Sequence, residues 1–167
     1  MDASLLMRQA RELKLTPKLF VGGAAGFTLP EFNQNAGKAA NYVVSATLWH
    51  QVLPLPGAMD YFNRFKAKYN KDTEYHGAEA YAAAYVIKDV LSRAKSFSPE
   101  DIKQALHETK LMTVFGPVEF TSYDKKTNQN RLTTYVVQWQ DGHLQLIWPK
   151  NLANAKYVYP VDWLKAW

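Results

Sequence analysis

The residues with the most unusual spacing in this sequence lie in the stretch FVGGAAGFTLPEF, residues 20–32, where glycines and alanines follow an apolar run. Glycines at this density indicate a tight backbone path or the close approach of another group, and a phosphate is the first candidate. A P-loop needs Gly-Lys-Ser/Thr after its glycines, and a dinucleotide loop needs G-x-G-x-x-G. Gly22, Gly23 and Gly26 form neither pattern, so the sequence does not predict a phosphate site.

The same stretch predicts a strand over 18–21, a loop with few side chains, and a short helix that begins at Pro30. Proline suits the first turn of a helix because its missing N–H would have no partner there. Strand ends of this kind bind small ligands in open α/β sheets. A tight connection between strand and helix would use the same glycines, so both interpretations stay open at this point.

The other residue types that carry chemistry do not form a recognisable catalytic or metal site. The four histidines, His50, His76, His107 and His143, stand far apart, and none belongs to an H-E-x-x-H pattern. The absence of cysteine removes thiolate chemistry and cysteine zinc sites, and no G-x-S-x-G elbow is present. Glu79 stands alone on a predicted helix, as ion-paired or solvated glutamates do. The sequence therefore predicts no enzyme activity, no metal and no cofactor.

Composition indicates a folded chain rather than a nucleic-acid-binding one. The chain has 167 residues, 47% of them apolar, which is enough to bury a core. Its formal charge is +5 and its pI is near 9.3, but the basic residues are scattered among acids, as Lys66, Lys68 and Lys71 are against Asp72 and Glu74. Without a basic run or an aromatic single-strand motif, a nucleic-acid partner is not expected.

Hydrophobic periodicity predicts an α/β fold. Helices are expected over 3–15, 57–69, 76–95 and, after an N-cap at Ser98, to about residue 110. Beyond the first strand, strands are expected over 41–49 and over 114–120, the latter interrupted by Gly116-Pro117. Two more are expected over 134–140 and 143–148, joined by a type I′ turn at Asp141-Gly142. The polar run 121–131 reads as a solvated loop or crossing, and 151–167 as an extended arm. Tyr81, Tyr85 and Trp139 are expected in the core.

Several segments, in one order, resemble a known family. They are DASLLMRQARELKL followed by PKLFVGGAAGF, then NYVVSATLW, then FKAKYNKDTEYHGAEAYAAAYV, then TVFGPVEF and VVQWQDGHLQLIWP. This succession is similar to the periplasmic solute-binding proteins of branched-chain amino acid ABC transporters, of the leucine/isoleucine/valine-binding kind. The resemblance covers almost the whole chain and implies a binding protein that carries no chemistry.

The resemblance implies the type I periplasmic-binding fold, in which two α/β lobes are joined by three crossings. That fold is a three-layer αβα arrangement with a mostly parallel sheet, here with a C-terminal β-hairpin. Because family members are about twice as long, the chain is expected to be the C-terminal half of one. By that analogy 1–50 is a second-lobe segment, 51–122 a first-lobe helical segment, 123–150 a return to the second lobe with the hairpin, and 151–167 a C-terminal arm.

The resemblance also implies ligand-binding positions facing an interlobe cleft. They are Gly23, Ala24, Ala25, Gly26, Phe27 and Thr28 in the loop, Trp49 at a strand end, and Tyr75, His76 and Glu79 at the start of the long helix. Ordinary packing is the alternative for each of them. Amino-acid binders of the family commonly keep an acid in this loop for the ligand's ammonium group, where this chain has Ala24 or Ala25. This departure predicts an aromatic or aliphatic carboxylate, or another compound without an α-ammonium group such as an uncharged one, rather than an α-amino acid.

The expected function is that of a fragment of an extracytoplasmic solute-binding protein, which in its parent captures a small organic ligand and presents it to a membrane permease. The first residues lack the pattern of a signal peptide, so the periplasmic or extracytoplasmic location rests on the resemblance. A ligand-sensing receptor domain of the same fold is the alternative. With the first lobe absent, the helices 57–69 and 76–95 are expected to expose apolar stripes, and self-association of the fragment is expected to follow.

Overall fold

The structure is a computed structural model that describes residues 2–23 and 25–167. Its helices are α1 (Asp2–Glu12), α2 (Pro30–Ala36), α3 (Ala58–Tyr69), α4 (Tyr75–Arg93), α5 (Pro99–His107) and α6 (Trp163–Ala166). Its strands are β1 (Val21–Gly22), β2 (Val44–Thr47), β3 (Lys110–Thr113), β4 (Gly116–Glu119), β5 (Thr121–Tyr123), β6 (Lys126–Gln129), β7 (Tyr135–Gln140) and β8 (His143–Trp148). Two 3₁₀ turns span Ala25–Phe27 and Gly37–Ala40. No helix of the described residues is both long and apolar enough to cross a lipid bilayer.

The chain divides into two compact units. Unit 1 consists of the residues up to Val52 together with Thr134–Trp167, and unit 2 consists of Leu53–Thr133. The assignment of sequence segments to lobes and to a C-terminal arm stays a prediction. Each unit is described by itself below.

Unit 1 is built on a mixed sheet with the strand order β1-β2-β7-β8. β1 and β2 pair in parallel, whereas β2–β7 and β7–β8 are antiparallel. The predicted α/β class is confirmed. The expected parallel strands are β1 and β2, and the expected C-terminal hairpin supplies the other two strands, which are antiparallel because a two-residue connection requires that pairing.

The hairpin is where the sequence prediction placed it. Asp141 and Gly142 join β7 to β8 with φ angles of 50° and 79°. Positive φ at both central residues defines a type I′ turn, whose twist matches that of the flanking strands. The predicted core position of Trp139 on β7 is confirmed, since only 4% of the residue is exposed.

One face of the sheet is covered by α1, α2 and the second 3₁₀ turn. Buried side chains from these elements and the sheet form a single cluster, which comprises Met7, Phe32, Ala36, Ala39, Ala40, Val43 and Trp139. α1 presents Ser4, Met7 and Ala10 to the interior, and the Ser4 hydroxyl donates to the Phe32 carbonyl. The spacing of Leu6, Ala10 and Leu13 in the sequence predicts one apolar face. Ala10 is buried, but Leu6 and Leu13 are exposed, because Met7 sets the buried face of the helix.

The C-terminal residues are held against the sheet by hydrogen bonds of the Gln138 side chain and by packing of Trp163. The buried Gln138 donates to the carbonyls of Tyr42 and Val158 at 3.0 and 3.1 Å and accepts from the Val158 N–H. Trp163 is almost fully buried, and its ring meets Phe20 edge-on with centroids 4.8 Å apart. These contacts hold the last residues firmly within unit 1.

Unit 2 contains α3, α4, α5 and two hairpins. The Ser98 hydroxyl accepts from the Asp101 N–H, which confirms the predicted cap of α5. Arg93 joins α4 to α5 by donating to the Ala105 carbonyl and to the Thr109 hydroxyl. The last turn of α4 is therefore tied to the end of α5.

Two strand predictions in unit 2 need correction. The strand expected over 114–120 is β4, which begins only at Gly116, because residues 114 and 115 form the turn that joins it to β3. In that turn the Thr113 hydroxyl donates to the Gly116 carbonyl and accepts from the Phe115 N–H. The run expected as a solvated loop over 121–131 forms the antiparallel pair β5–β6. Its polar residues are largely exposed on both faces, so the alternation that signals a half-buried strand is missing.

α4 is apolar on more than one side. Ala78, Ala82 and Val90 are buried, whereas Ile87 and Leu91 on other faces are 59% and 46% exposed. The prediction of Tyr85 as a core residue is wrong, since its ring lies beside the buried stripe and is 47% exposed. A helix with apolar residues all round is typical of a buried element.

Candidate functional site

In the loop that the sequence singled out, residues 25–28 form a turn held by backbone and side-chain hydrogen bonds. We call residues 23–28 the glycine loop; it follows β1 and contains the first 3₁₀ turn. Both the backbone N–H and the hydroxyl of Thr28 donate to the Ala25 carbonyl, at 3.0 and 3.2 Å. Thr28 is buried, with 1% exposed, so its hydroxyl serves the turn.

The glycines before and within this loop have different neighbours. A Cβ atom on Gly22 would lie 2.2 to 2.4 Å from ring carbons of Phe27, so only glycine admits that ring. A Cβ on Gly26 would lie 3.3 Å from the Cβ of Ala3. A Cβ on Gly23 would meet no atom within 4 Å among the described residues. Gly22 is therefore needed for the packing of the Phe27 ring, whereas at Gly23 the loop has space for another group.

Phe27 takes part in the core of unit 1. Its ring packs against Phe32 with centroids 5.3 Å apart, and its carbonyl accepts from the indole N–H of Trp139 at 2.7 Å. These neighbours of Phe27 all belong to unit 1. A role of Phe27 in ligand binding stays a proposal. Ala24 lies outside the described residues; Ala25 is half-buried and brings no charge to the loop.

Trp49 and His50 follow β2 in a tight turn. The Thr47 hydroxyl donates to the Trp49 carbonyl at 2.8 Å and accepts from the Trp49 N–H at 3.3 Å. Both Trp49 and His50 are buried. His50 Nε2 lies 2.9 Å from the Leu144 carbonyl, and the Val52 N–H approaches Nδ1 at 3.4 Å. These partners require a neutral ring with its proton on Nε2.

Burial lowers the pKa of His50 because it penalises the imidazolium, and the hydrogen bond to the Leu144 carbonyl opposes this only in part. Sequence reasoning did not select His50 as a functional residue. Its place directly after Trp49 and a strand end was the available signal.

Three predicted residues lie together in unit 2, at the start of α4. We call residues 74–79 the α4 turn. Tyr75 and His76 stack with ring centroids 3.9 Å apart, and Glu79 is exposed one turn later. The pKa of Tyr75 is raised by burial first and by the carboxylates of Glu74 and Glu79 second, so its phenol keeps its proton.

Glu74 is the residue of this turn that sequence reasoning missed. Its carboxylate accepts from the His76 backbone N–H at 3.2 Å, which caps α4, and lies 2.7 Å from Nδ1 of the same residue. The signal was present, because an acid directly before a helix suits both the N-cap position and the helix dipole.

A second group of polar residues in unit 2 was not predicted. A cavity of about 250 Å³ is lined by Arg64, Asp60, Tyr81 and Tyr85, among others. Arg64 bonds Asp60 at 2.8 Å and the Tyr81 hydroxyl at 3.1 Å. The pKa of Tyr81 is lowered, first by the Tyr85 hydroxyl and then by Arg64. The four side chains thus hydrogen-bond one another, the Tyr81 and Tyr85 hydroxyls at 3.0 Å.

The predicted residues thus form two groups, one in each unit. Gly23, Ala25, Gly26, Phe27 and Thr28 share the glycine loop, while Tyr75, His76 and Glu79 share the α4 turn. Trp49 stands at another strand end of unit 1. Within residues 2–23 and 25–167, histidine and acidic side chains form no group of three that could hold a metal ion.

Comparison with known proteins places these features in a family. A family model described as periplasmic binding protein matches residues 1–143. The chain is 27% identical over 164 residues to Leu/Ile/Val-binding protein homolog 8 of Brucella melitensis, covering 93% of this chain and 40% of that relative. The chain therefore spans about two fifths of the length of the curated relatives it matches.

Similar solved structures agree with this family match. The leucine binding protein LivK of Thermotoga maritima superposes with a TM-score of 0.75 at 25% identity, over 87% of this chain and 41% of that one. The branched-chain amino acid transporter substrate binding protein LivJ of Streptococcus pneumoniae, in complex with isoleucine, gives a TM-score of 0.70 at 25% identity, over 95% and 42%. The resemblance to substrate-binding proteins of branched-chain amino acid ABC transporters is confirmed, and the chain belongs to the periplasmic binding protein family.

Proposed function

We propose that the chain is part of an extracytoplasmic solute-binding protein whose full-length parent captures a small organic molecule in a ligand cleft and presents it to the permease of an ABC transporter. The observation that carries this proposal is the family match, which extends over residues 1–143 and includes both the glycine loop and the α4 turn. Families of this kind bind solutes without transforming them, so the proposed function includes no catalysis.

The glycine loop is suited to a carboxylate. The first N–H groups of a helical turn have no partner within the turn, and such groups favour anions. In this loop they belong to the 3₁₀ turn Ala25–Phe27, next to the open side at Gly23. The methyl group of Ala25 is too small to block an anion, so backbone N–H groups would be the hydrogen-bond donors to it.

The same loop disfavours an α-ammonium group. A buried ammonium without a counter-charge costs several kcal/mol, because its lost hydration is not replaced. The sequence has alanine at 24 and 25, where amino-acid binders of the family commonly have an acid. The ligand class we propose is therefore an aromatic or aliphatic carboxylate without an α-ammonium group, with His76, Trp49 or Phe27 against its apolar part.

A second ligand class follows from the relatives. One is named a Leu/Ile/Val-binding protein homolog, and another is a branched-chain amino acid binding protein in complex with isoleucine. Glu79 favours this alternative, because its carboxylate is exposed and, within the described residues, makes no ion pair. In that case the counter-charge for the ammonium would come from the α4 turn.

A thermal-shift screen of the purified full-length parent tests the function itself. The panel contains 4-methylpentanoate, 3-phenylpropanoate, leucine, isoleucine and valine, with glucose as a control compound. A ligand at about one hundred times its Kd should stabilise the folded protein by about 2.7 kcal/mol, which gives a clear shift. A shift caused by glucose, with no shift caused by any of the acids or amino acids, would contradict the proposal.

A further inference from the structure

A cavity within unit 2 is lined by none of the residues that the sequence predicted for ligand binding. Its volume is about 170 Å³, and its lining consists of Lys103, Leu106, His107, Phe120 and Asn128. The first three lie on α5, Phe120 directly precedes β5, and Asn128 lies on β6. Because residues three and four positions apart share one face of a helix, α5 contributes a single face to the cavity.

The apolar part of this lining consists of Leu106 and Phe120. Leu106 is 37% exposed, and Phe120 is half-buried. A cavity of about 150 Å³ lined by apolar side chains is large enough to bind benzene. The volume here is therefore sufficient for one aromatic ring or one short branched chain.

The polar side chains of the lining have no partner within the part of the chain that the structure describes. Lys103 makes no ion pair there, and the side chains of Lys103, His107 and Asn128 form no hydrogen bond. Each of them can donate: an ammonium has three N–H groups, a carboxamide two and a neutral imidazole one. The cavity beside Arg64 is different, because its polar side chains hydrogen-bond one another.

The charge near the cavity favours an anion. No carboxylate lines it. The polar run 121–131, which contributes Asn128, has three basic residues, Lys125, Lys126 and Arg131, against one acid, Asp124, so its net charge is +2. None of these three cations forms an ion pair within residues 2–23 and 25–167.

Two carboxylates of the α5 segment have partners of their own. Asp101 accepts from the Ser96 hydroxyl, and Glu108 accepts from the Gln104 amide. Neither of these acids lines the cavity. The donors of the cavity are therefore available to an acceptor from outside the chain.

We propose that this cavity binds a small monocarboxylate that carries one aromatic ring or one short branched chain. The carboxylate would accept from Lys103, His107 and Asn128, and the apolar part would pack on Leu106 and Phe120. The site lies within unit 2 and uses no residue of the proposed ligand cleft, so it does not rest on the proposed function. A neutral molecule of the same shape would leave Lys103 without a counter-charge, and acetate would leave the apolar part unused.

Nitrogen-15-edited NMR of this chain, titrated with benzoate, tests the site. We expect the backbone signals of residues 103–107, 120 and 128 to shift together, with a Kd on the order of 1 mM for so small a molecule. Benzamide has the ring without the charge and should bind about threefold more weakly, the value of one exposed ion pair. Acetate should bind at least about tenfold more weakly, because it buries no ring.

Substitution of Lys103 tests the role of its charge. Lys103→Gln should weaken benzoate about threefold and remove the preference over benzamide, and Lys103→Glu should weaken benzoate further. The residue is exposed and unpaired among the described residues, so both variants should fold, which the dispersion of the remaining signals checks. Lys88→Gln on α4, also exposed and outside the ion pairs of the described residues, is the control and should leave the Kd unchanged.

Three results would overturn the site: no shift of the α5 signals at millimolar benzoate, equal affinity for benzoate and benzamide, or equal effects of Lys103→Gln and Lys88→Gln. Shifts confined to the glycine loop or the α4 turn would also overturn it. That last result would leave the proposed function standing, since the thermal-shift screen of the parent tests that function separately.

Discussion

The glycine loop of unit 1 and the α4 turn of unit 2 show two different uses of residues that the sequence singled out together. In the loop, glycine makes room for the protein's own Phe27, and the hydroxyl of Thr28 is used within the turn. In the α4 turn, Glu74 directs the ring of His76 outward. We propose the backbone of the first region and the side chains of the second as ligand contacts.

The histidines of the two units repeat this difference. His50 in unit 1 is 3% exposed, and both its ring nitrogens have backbone partners. His76 in unit 2 has one partner and one free nitrogen among the described residues. The same residue type is thus buried between backbone partners in one unit and exposed to solvent in the other.

The largest effect is expected from Phe27→Ala. Because the ring packs on Phe32 and fills the space over Gly22, its loss should lower the free energy of unfolding by about 3 kcal/mol. All five tryptophans lie in unit 1, so tryptophan fluorescence during urea unfolding reports that unit. Leu13→Ala, at a position 72% exposed, is the control and should change stability by less than about 0.5 kcal/mol. An unchanged free energy of unfolding in Phe27→Ala would show that the ring does not contribute to the core.

Gly22→Ala should cost about 1 to 3 kcal/mol by overpacking, since the new methyl group would meet the Phe27 ring. The same fluorescence measurement applies. The double variant Gly22→Ala with Phe27→Ala sharpens the test, because the methyl group then has space and the two costs should not add. Additive costs would show that Gly22 is needed for a reason other than the ring.

Glu74→Ala should destabilise unit 2 by about 1 kcal/mol, the usual value of an N-cap side chain. The matched control is Glu79→Ala, on the same turn but exposed, which should change stability by less than about 0.5 kcal/mol. Helical circular dichroism during urea unfolding follows both variants. Equal effects of the two substitutions would mean that the cap contributes no more than general negative charge at the helix start.

The smallest effect concerns acid stability. The folded chain keeps His50 neutral because burial lowers its pKa, so below the ordinary value of 6.5 the unfolded chain binds a proton that the folded chain does not. Unit 1 should therefore lose stability as the pH falls through this range, with no contribution from His50 above it. His50→Gln retains a donor for the Leu144 carbonyl and should weaken this dependence, as seen by fluorescence melts between about pH 5 and about pH 8. The exposed His143→Gln is the control, and an unchanged pH slope in His50→Gln would contradict the assignment.

Local chemistry explains which features were predictable from the sequence. Asp141-Gly142 and the Ser98 cap are determined by backbone preferences of the residues themselves, and both are found as predicted. The β5–β6 hairpin was missed because its strands are polar on both faces. The exposure of Tyr85 depends on which face of α4 finds neighbours, and no local pattern encodes that.

The candidate residues show the same limit. Their grouping into the glycine loop and the α4 turn followed from positions in the sequence. That Gly22 is needed by Phe27, and that Glu74 rather than Glu79 bonds His76, depends on contacts over distances of a few ångströms. Residue types and spacing selected these two regions as candidates for ligand binding. The contacts of each side chain within them are given only by the structure.

We propose that the full-length parent recognises a carboxylate without an α-ammonium group, because the glycine loop offers backbone amides and no acid. Calorimetry on the full-length parent with leucine and with its deaminated analogue 4-methylpentanoate tests this most directly. We expect measurable binding of 4-methylpentanoate and binding of leucine weaker by at least about tenfold, since an unpaired ammonium costs several kcal/mol. Tight binding of leucine with no response to 4-methylpentanoate would contradict this proposal. It would indicate instead that Glu79 supplies the counter-charge for the ammonium group of leucine.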